Sequence, residues 1–592
     1  MRVLLQYLTL VTGSLALTLP SENHLHQLQS KAESGLKPRQ SCDNTATSRD
    51  CWGDYSIDTN YYDVVPVTGV NREYWLNVEE VDCAPDGYNT TCLTFNGTVP
   101  GPTLFADWGD TLTVHVTNNV VDNGTTIHWH GVRQLNTVSQ DGVPGVTQCP
   151  IAPGETLTYN FQVSQYGSTW YHSHFTLQYA QGLYGGLVLN GPATADYDED
   201  LGPLFLADWH HTDVFELWET ARLGAPPTMQ SGLINGTNTY NCTSAADMTC
   251  HGTLGSKFET VFEAGTKYRI RLVNVATDGH FQFSIDGHDL TVIATDLVPI
   301  VPYTTDSVLV SIGQRVDVIV EANAEAGDYW LRGGWVSACS QINNIDDITG
   351  IVRYDASSTA DPTSTSNVTA STSCSDEPFA SIVPHLSLDV GDISTEADET
   401  LSFDAGSVFT WTINNSSLYL NWSNPTIEQV ISGADIFPTD YNVVAVDGPA
   451  NSTNSSEWAL LVIEDQTGFG ITHPIHLHGH DFWVVSQSTA AYTKGVTTLT
   501  TANPPRRDVA SLPGNGHLAI AFKLDNPGTW LVHCHIAWHA SQGLSLEFVE
   551  SESQIVGLSV SDDDKDTLSS TCAAWDQYTT TSEYFGQDDS GI

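Results

Sequence analysis

A thiol flanked by imidazoles is the most reactive feature of the chain. Residues 533–544 read His-Cys-His-Ile-Ala-Trp-His-Ala-Ser-Gln-Gly-Leu. Cys534 is a soft ligand. With His539 and one more histidine from elsewhere it makes the two-imidazole, one-thiolate trigonal set of a blue-copper electron-transfer site. On an extended strand, successive side chains point to opposite faces. Cys534 then turns toward one metal while His533 and His535 turn toward another, about 10 Å away. The plainer reading, a buried free cysteine among chance histidines or a zinc site, is outweighed by three further histidine clusters.

Those clusters are His128-Trp129-His130, His172-Ser173-His174 and His473-Pro474-Ile475-His476-Leu477-His478. An i, i+2 pair on a strand projects both imidazoles from one face, which suits chelation. One such pair is commonly a coincidence or a core feature. Pairs at 128/130, 172/174, 476/478 and 533/535 together are not. Their imidazoles suffice for a three-metal cluster, and His473, Cys534 and His539 remain for the blue-copper site. Imidazole suits copper, and a thiolate in a trigonal set favours copper over zinc. His210, His211 and His385 have no such spacing and read as surface or structural residues.

Length and composition bound what carries these sites. The 592 residues correspond to roughly three to four domains of ordinary size. Acidic residues number 70 against 20 basic, a net charge of −50, which argues against nucleic acid or anionic membranes as partners. The excess reads as a solubilising surface that tolerates acid, where many carboxylates are neutralised. Residues 1–18 have the charged start and apolar run of a secretory signal. Residues 19–39 end in Lys37-Pro38-Arg39 and read as a pro-segment, so the mature chain is expected to begin near Gln40. No other stretch is long and apolar enough for a membrane span, and the product is expected to be soluble, extracellular and secreted. Eleven Asn-x-Ser/Thr sequons between Asn89 and Asn454 fit secretion. So do the 11 cysteines: with Cys534 assigned to metal, an even number is left for disulfides. Cys42–Cys51, Cys83–Cys92 and Cys242–Cys250 are near enough for local loops, while the pairing of Cys149, Cys339, Cys374 and Cys572 stays open.

The elements that must position the ligands are strands. Thr111–Val116, Lys267–Val273 and Arg315–Val320 alternate or are β-branched, and Gly, Pro and Asn separate such runs. The fold class is all-β, as consecutive sandwiches. Breaks fall near Gly191-Pro192 and in the Ser/Thr-rich stretch 357–375, giving domains at 40–192, 193–365 and 366–560 and a C-terminal tail at 561–592. The first and last units carry His-x-His pairs and the middle one carries none.

The four clusters, in this order, resemble those of the multicopper oxidase family and more closely its laccases. Gly131-Val-Arg-Gln followed by Gln140-Asp-Gly-Val-Pro, and Asn503-Pro-Pro-Arg-Arg-Asp, match as well, over essentially the whole mature chain. His533–His539 with Ala537, and the ending Asp589-Ser590-Gly591-Ile592, are similar to laccases of ascomycete fungi, although the family usually ends in Leu. The resemblance implies three consecutive cupredoxin-like (Greek-key) β-sandwich domains, with a trinuclear cluster between the first and third. It implies four copper ions: type 1 at His473, Cys534 and His539; type 2 at His128 and His476; a type 3 pair at His130, His172, His174, His478, His533 and His535. The implied reaction is one-electron oxidation of phenols or aromatic amines, with O₂ reduced to water, by a monomer.

Further roles follow from the same resemblance. Asp141 aligns with an acid near the type 2 copper and is expected to relay protons, although an Asp before Gly142 is also a common turn-former. Asp508, after Arg506-Arg507, reads as an ion-pair residue. Asp247 lies in the loop region where the family places an acid beside the type 1 site. Leu544 stands ten residues after Cys534, where blue-copper proteins place a weak axial ligand, and it has no lone pair. The last residues are expected to enter the channel toward the cluster, with Cys572 anchoring them if it bridges to Cys149. Ferroxidase relatives usually carry a membrane tail, and ascorbate-oxidising ones usually have Met at the axial position; neither feature is in this sequence. A non-enzymatic copper-binding sandwich would be expected to lack some cluster ligands, and every position is filled.

Overall fold

The computed structural model describes residues 43–242, 250–406, 408–434, 436–446, 457–581 and 586–592. The segments 1–18 and 19–39, Cys42, and Asp247 fall outside these residues.

The strands form three consecutive β-sandwiches of the cupredoxin-like kind. The first has one sheet ordered Thr90–Phe95, Asn71–Cys83, Thr111–Asn118, Thr156–Gln162 and a second ordered Gly101–Asp107, Tyr184–Asn190, Gly167–Ser173, Ile127–His130. The second sandwich runs from Glu199 to Arg353 and the third from Ile393 to Glu550, each a six-stranded sheet packed on a five-stranded one. Each unit has a parallel pair near its start: Asn71–Cys83 with Thr111–Asn118, Glu199–Trp209 with Lys267–Asn274, and Ile393–Ala405 with Trp458–Asp465. The pattern logic is plainest in Thr156–Gln162, where Leu157, Tyr159 and Phe161 are buried and the residues between them exposed. Period-two burial of this kind sets the register of a half-buried strand.

Arg315–Glu321 departs from it. Its alternation of charged and β-branched residues predicts one wet face, yet Arg315 through Val320 are all buried. The charged face is covered because the sandwiches meet there. Arg315 pairs with Asp508 of the third sandwich and Asp296 of its own, while Asp317 pairs with Arg269. Buried charges persist only when paired and hydrogen-bonded.

The tail is not wholly irregular. Asp562–Thr581 is a helix whose buried residues are Leu568, Cys572 and Trp575, a stripe at i, i+4, i+7. Its apolar stripe is too narrow to stand out in a polar stretch, but its start is well signalled. The Ser561 hydroxyl accepts from the Asp564 backbone N–H at 3.1 Å, and the Ser561 N–H donates to the Asp564 carboxylate at 2.8 Å. This is a reciprocal cap, with three aspartates in the first turn favoured by the helix dipole. Asp564 also accepts from Ser139 and Gln140 of the first sandwich, both at 3.0 Å.

Disulfides Cys83–Cys92 and Cys242–Cys250 form as expected, and Cys149–Cys572 and Cys339–Cys374 resolve the open pairing. Cys534 is the free cysteine among the described residues. No helix among them is long and apolar enough to cross a membrane.

Candidate metal centres and the mouth beside them

Strand register brings the histidine pairs together. Ile127–His130 runs antiparallel to Gly167–Ser173 with His128 opposite His172. His473–Leu477 runs antiparallel to Gly528–Cys534 with His476 opposite His533 and Ile475 opposite Cys534. The first ladder belongs to the first sandwich and the second to the third. Facing each other, they leave the rings of His128 and His478, and of His130 and His476, with centroids 3.9 Å apart.

The donor atoms sort into groups lying within 4.8 Å of one another: His128, His130 and His476; His130, His172 and His535; His174, His478 and His533; and separately His473, Cys534 and His539. Backbone and carboxylate contacts choose which nitrogen faces inward. Nδ1 of His128 meets the Asp141 carbonyl at 2.8 Å, Nδ1 of His476 the Asp508 carbonyl at 2.8 Å, and Nδ1 of His172 the Ser173 carbonyl at 2.8 Å. Their Nε2 atoms are thereby aimed at the centre, those of His128 and His476 lying 3.5 Å apart. In the fourth group the order reverses. Nδ1 of His473 and of His539 lie 3.1 Å apart, each 3.7 Å from the Cys534 sulfur.

These donors suit a metal. Both ring nitrogens of His130 and His535, and Nε2 of His172, His478 and His533, are buried without a hydrogen-bond partner. Buried polar atoms are otherwise almost always paired. Burial holds His130, His172, His174, His476, His478, His535 and His539 well below the usual imidazole range, and takes His473 and His533 down to about 4. The imidazoles are thus neutral, as ligands must be. Burial pushes the Cys534 thiol well up, so a thiolate there requires a cation's charge beside it. Nitrogen-only and thiolate-containing sets of this kind fit copper.

Asp141 is fully buried between these ligands, its carboxylate 2.8 Å from Nδ1 of His478 and 3.3 Å from Nδ1 of His128. The turn reading also holds. Gly142 has φ of +82°, and a Cβ there would come within 1.8 Å of the Ile127 carbonyl oxygen. Asp508 is an ion-pair residue, bound to Arg315, and its side chain also lies 3.3 Å from Nε2 of His130, near it but outside hydrogen-bonding geometry. The glycine after His130 is required for this: a Cβ on Gly131 would meet the Asp508 carboxylate at 2.3 Å. Leu544 is fully buried, and its carbonyl accepts from the Cys534 N–H at 3.1 Å. The chain end is buried too. Ser590 donates through N–H and hydroxyl to the Ser541 and Ala540 carbonyls at 2.8 and 2.7 Å. Ile592 closes a small cavity of about 20 Å³ also lined by His172, His174, His533 and His535. Of the other histidines, His211 pairs with Asp86, His385 with Asp58, and His210 is buried near Trp538.

His539 is 7% exposed, the most of the eleven donors, and two cavities reach it. The second holds Asp278, an acid that sequence reasoning passed over. Burial, reinforced by Asp208, pushes its carboxyl well up. Thr277-Asp278-Gly279 reads as one more turn before the strand Phe281–Ile285; only the packing of the second sandwich on the third brings it beside His539.

Models of multicopper oxidases match residues 77–194, 200–357 and 419–554. The chain belongs to the multicopper oxidase family. It is similar to two proteins of Botryotinia fuckeliana. Laccase-2 is 62% identical over 567 residues, 94% of this chain and 96% of that one; Laccase-1 is 57% identical over 560 residues, covering 94% and 95%. The crystal structure of a laccase from Botrytis aclada superposes with a TM-score of 0.89 at 60% identity, covering 93% of this chain and 100% of that one. Within the multicopper oxidases the chain groups with the fungal laccases, and copper is its cofactor.

Proposed function

We propose that this chain is a secreted laccase: it takes single electrons from phenols or aromatic amines and delivers four of them to O₂, giving two waters. The domains are 40–192, 193–365 and 366–560 with the tail at 561–592. The observation that carries the reading is the pairing of a His₂Cys donor group with three all-histidine groups, joined by the consecutive residues His533, Cys534 and His535.

His473, Cys534 and His539 would hold type 1 copper, His128 and His476 type 2, and His130, His172, His174, His478, His533 and His535 the type 3 pair, four ions in all. Copper bound there supplies one-electron redox chemistry and the place where O₂ is reduced. The protein's own groups do the rest. The edge of His539 meets the substrate. Asp278 accepts the phenol proton as the electron leaves, a role supported by its place in the lining of the cavity that reaches His539; Asp247, the acid expected from the sequence, lies outside the described residues. Electrons pass from Cys534 along the backbone to His533 and His535. Asp141 delivers protons toward the all-histidine groups, a role its contacts with His128 and His478 support. Leu544 offers no fourth donor to the Cys534 group.

The test is the purified copper-loaded protein. Strong blue absorption, and four phenols oxidised per O₂ without peroxide, are expected. Copper binding without O₂ uptake would leave a binding module, and preference for Fe²⁺ or ascorbate over phenols would assign another branch of the family.

A further inference from the structure

Two cavities meet at His539, and their walls differ. One, of about 160 Å³, is lined by Phe409, Trp411, Phe469 and Trp538. The other, of about 170 Å³, is lined by Thr228, Asp278, His280, Ser340 and Gln341. They share Pro226, Ile471 and His539. Each has room for about five waters, and so for a single aromatic ring. The second cavity is also walled by Pro227, Cys339 and Ile536, so the mouth is two lobes, one almost wholly apolar and one that adds polar groups to an apolar wall (the polar lobe), with the electron-accepting histidine at their junction.

Both lobes carry a feature that awaits a ligand. In the polar lobe His280 is 4% exposed, and neither ring nitrogen has a hydrogen-bond partner. A buried unpaired imidazole is costly, and a hydroxyl entering the lobe would relieve it. In the apolar lobe Phe469 is 49% exposed, its ring packed edgewise against Trp411 and tilted over Phe403. Aromatic side chains exposed around a concave apolar wall mark a binding surface. A one-ring phenol with its hydroxyl at Asp278 leaves this wall wet.

We propose that the mouth is shaped for a phenol extended by a second aromatic ring. The hydroxylated ring lies in the polar lobe, its hydroxyl between Asp278 and His280, and the second ring fills the apolar lobe against Phe409, Trp411 and Phe469. The ring-to-ring connection passes His539, which keeps the oxidised ring within reach of that imidazole. The inference rests on the phenol-oxidising reading and adds the substrate class.

The test compares 4-benzylphenol with 4-methylphenol on the copper-loaded enzyme by O₂ uptake. The methylene keeps the second ring out of conjugation, so the two phenols are similarly easy to oxidise and differ in the ring alone. The expected preference in kcat/KM for 4-benzylphenol is about tenfold, and Phe469→Ala should cut that ratio by about fivefold. The half-exposed position of Phe469 makes this truncation safe for the fold, and intact blue absorption checks it. Diphenylmethane, with both rings and no hydroxyl, should compete with 4-benzylphenol. His280→Leu should raise KM for both phenols about fivefold. A ratio near one in the unaltered enzyme, a ratio untouched by Phe469→Ala, or an unchanged KM in His280→Leu would overturn the assignment. Absence of O₂ uptake with 4-methylphenol and 4-benzylphenol alike would instead overturn the laccase reading beneath it.

Discussion

The two kinds of donor group in this molecule are built by different means. The His473–Cys534–His539 group belongs to one sandwich: two neighbouring strands and the short helix Ala537–Ser541 supply all three ligands. The all-histidine groups lie between two sandwiches, half of their ligands in residues 128–174 and half in residues 476–535. The first needs one sheet in register. The second needs two domains docked closely, so it depends on the contacts that hold them: the Arg133–Asp525 ion pair directly and, through the C-terminal tail, Asp564 on Ser139 and Gln140 and the Cys149–Cys572 bridge. A site within a domain is as stable as that domain, and a site between domains only as stable as the interface.

The largest expected effect comes from the residue that links the two centres, a ligand of one and the chain neighbour of His533 and His535 in the other. Cys534→Ser should abolish the blue colour and all O₂ uptake while far-ultraviolet circular dichroism stays unchanged. A blue, active variant would end the whole assignment. Asp141→Asn should then separate the centres. Turnover is expected to fall about 10²–10³-fold, while blue absorption and its reduction by phenol persist, because Asp141 touches only ligands of the interdomain groups.

Loosening the interface should act on the same centre with a smaller loss. Removing residues 589–592, or Cys572→Ser, is expected to lower turnover about tenfold, with type 2 copper lost before type 1 in electron paramagnetic resonance. Equal loss of both signals would show that the two centres are not mechanically distinct. The tail also carries a pH signature. Burial pushes the Asp589 carboxyl up to about 8. Its folded value lies above its unfolded one, so the docked tail is favoured at low pH, and that contribution fades as pH rises toward 8. Asp589→Asn should flatten this dependence, read as type 2 copper retention against pH.

The smallest expected effect lies within the single-domain centre. Leu544→Met offers a weak sulfur ligand, should lower the type 1 potential, and should slow oxidation of poorly reducing phenols roughly threefold. An unchanged or raised potential in a redox titration would show that Leu544 does not occupy the axial position.

How much was legible beforehand follows the same division. The i, i+2 histidine pairs and the thiolate between imidazoles are local patterns, tied to strand periodicity, and so readable one stretch at a time. The all-β class is readable for the same reason, from alternations such as Thr111–Val116. The helix Asp562–Thr581 was not, because three buried residues in twenty make too thin a stripe. Cys83–Cys92 was accessible by proximity in sequence, whereas Cys149–Cys572, 423 residues apart, joins elements whose nearness only folding creates.

The mouth shows where sequence stops. Asp278 and His280 sit in an ordinary turn and strand start, with no spacing that marks them, and the acid sought in sequence was Asp247. Their chemistry comes from neighbours supplied by other domains: Ile471, Thr472 and His539 from the third sandwich close the cavity around them. What the sequence determined by itself was which atoms can bind copper, because ligand type and strand spacing are properties of short segments. The tertiary structure decided which of those atoms lie close enough to share an ion, which acid lines the cavity beside His539, and how wide the mouth is, because those depend on distances between segments that no local pattern encodes.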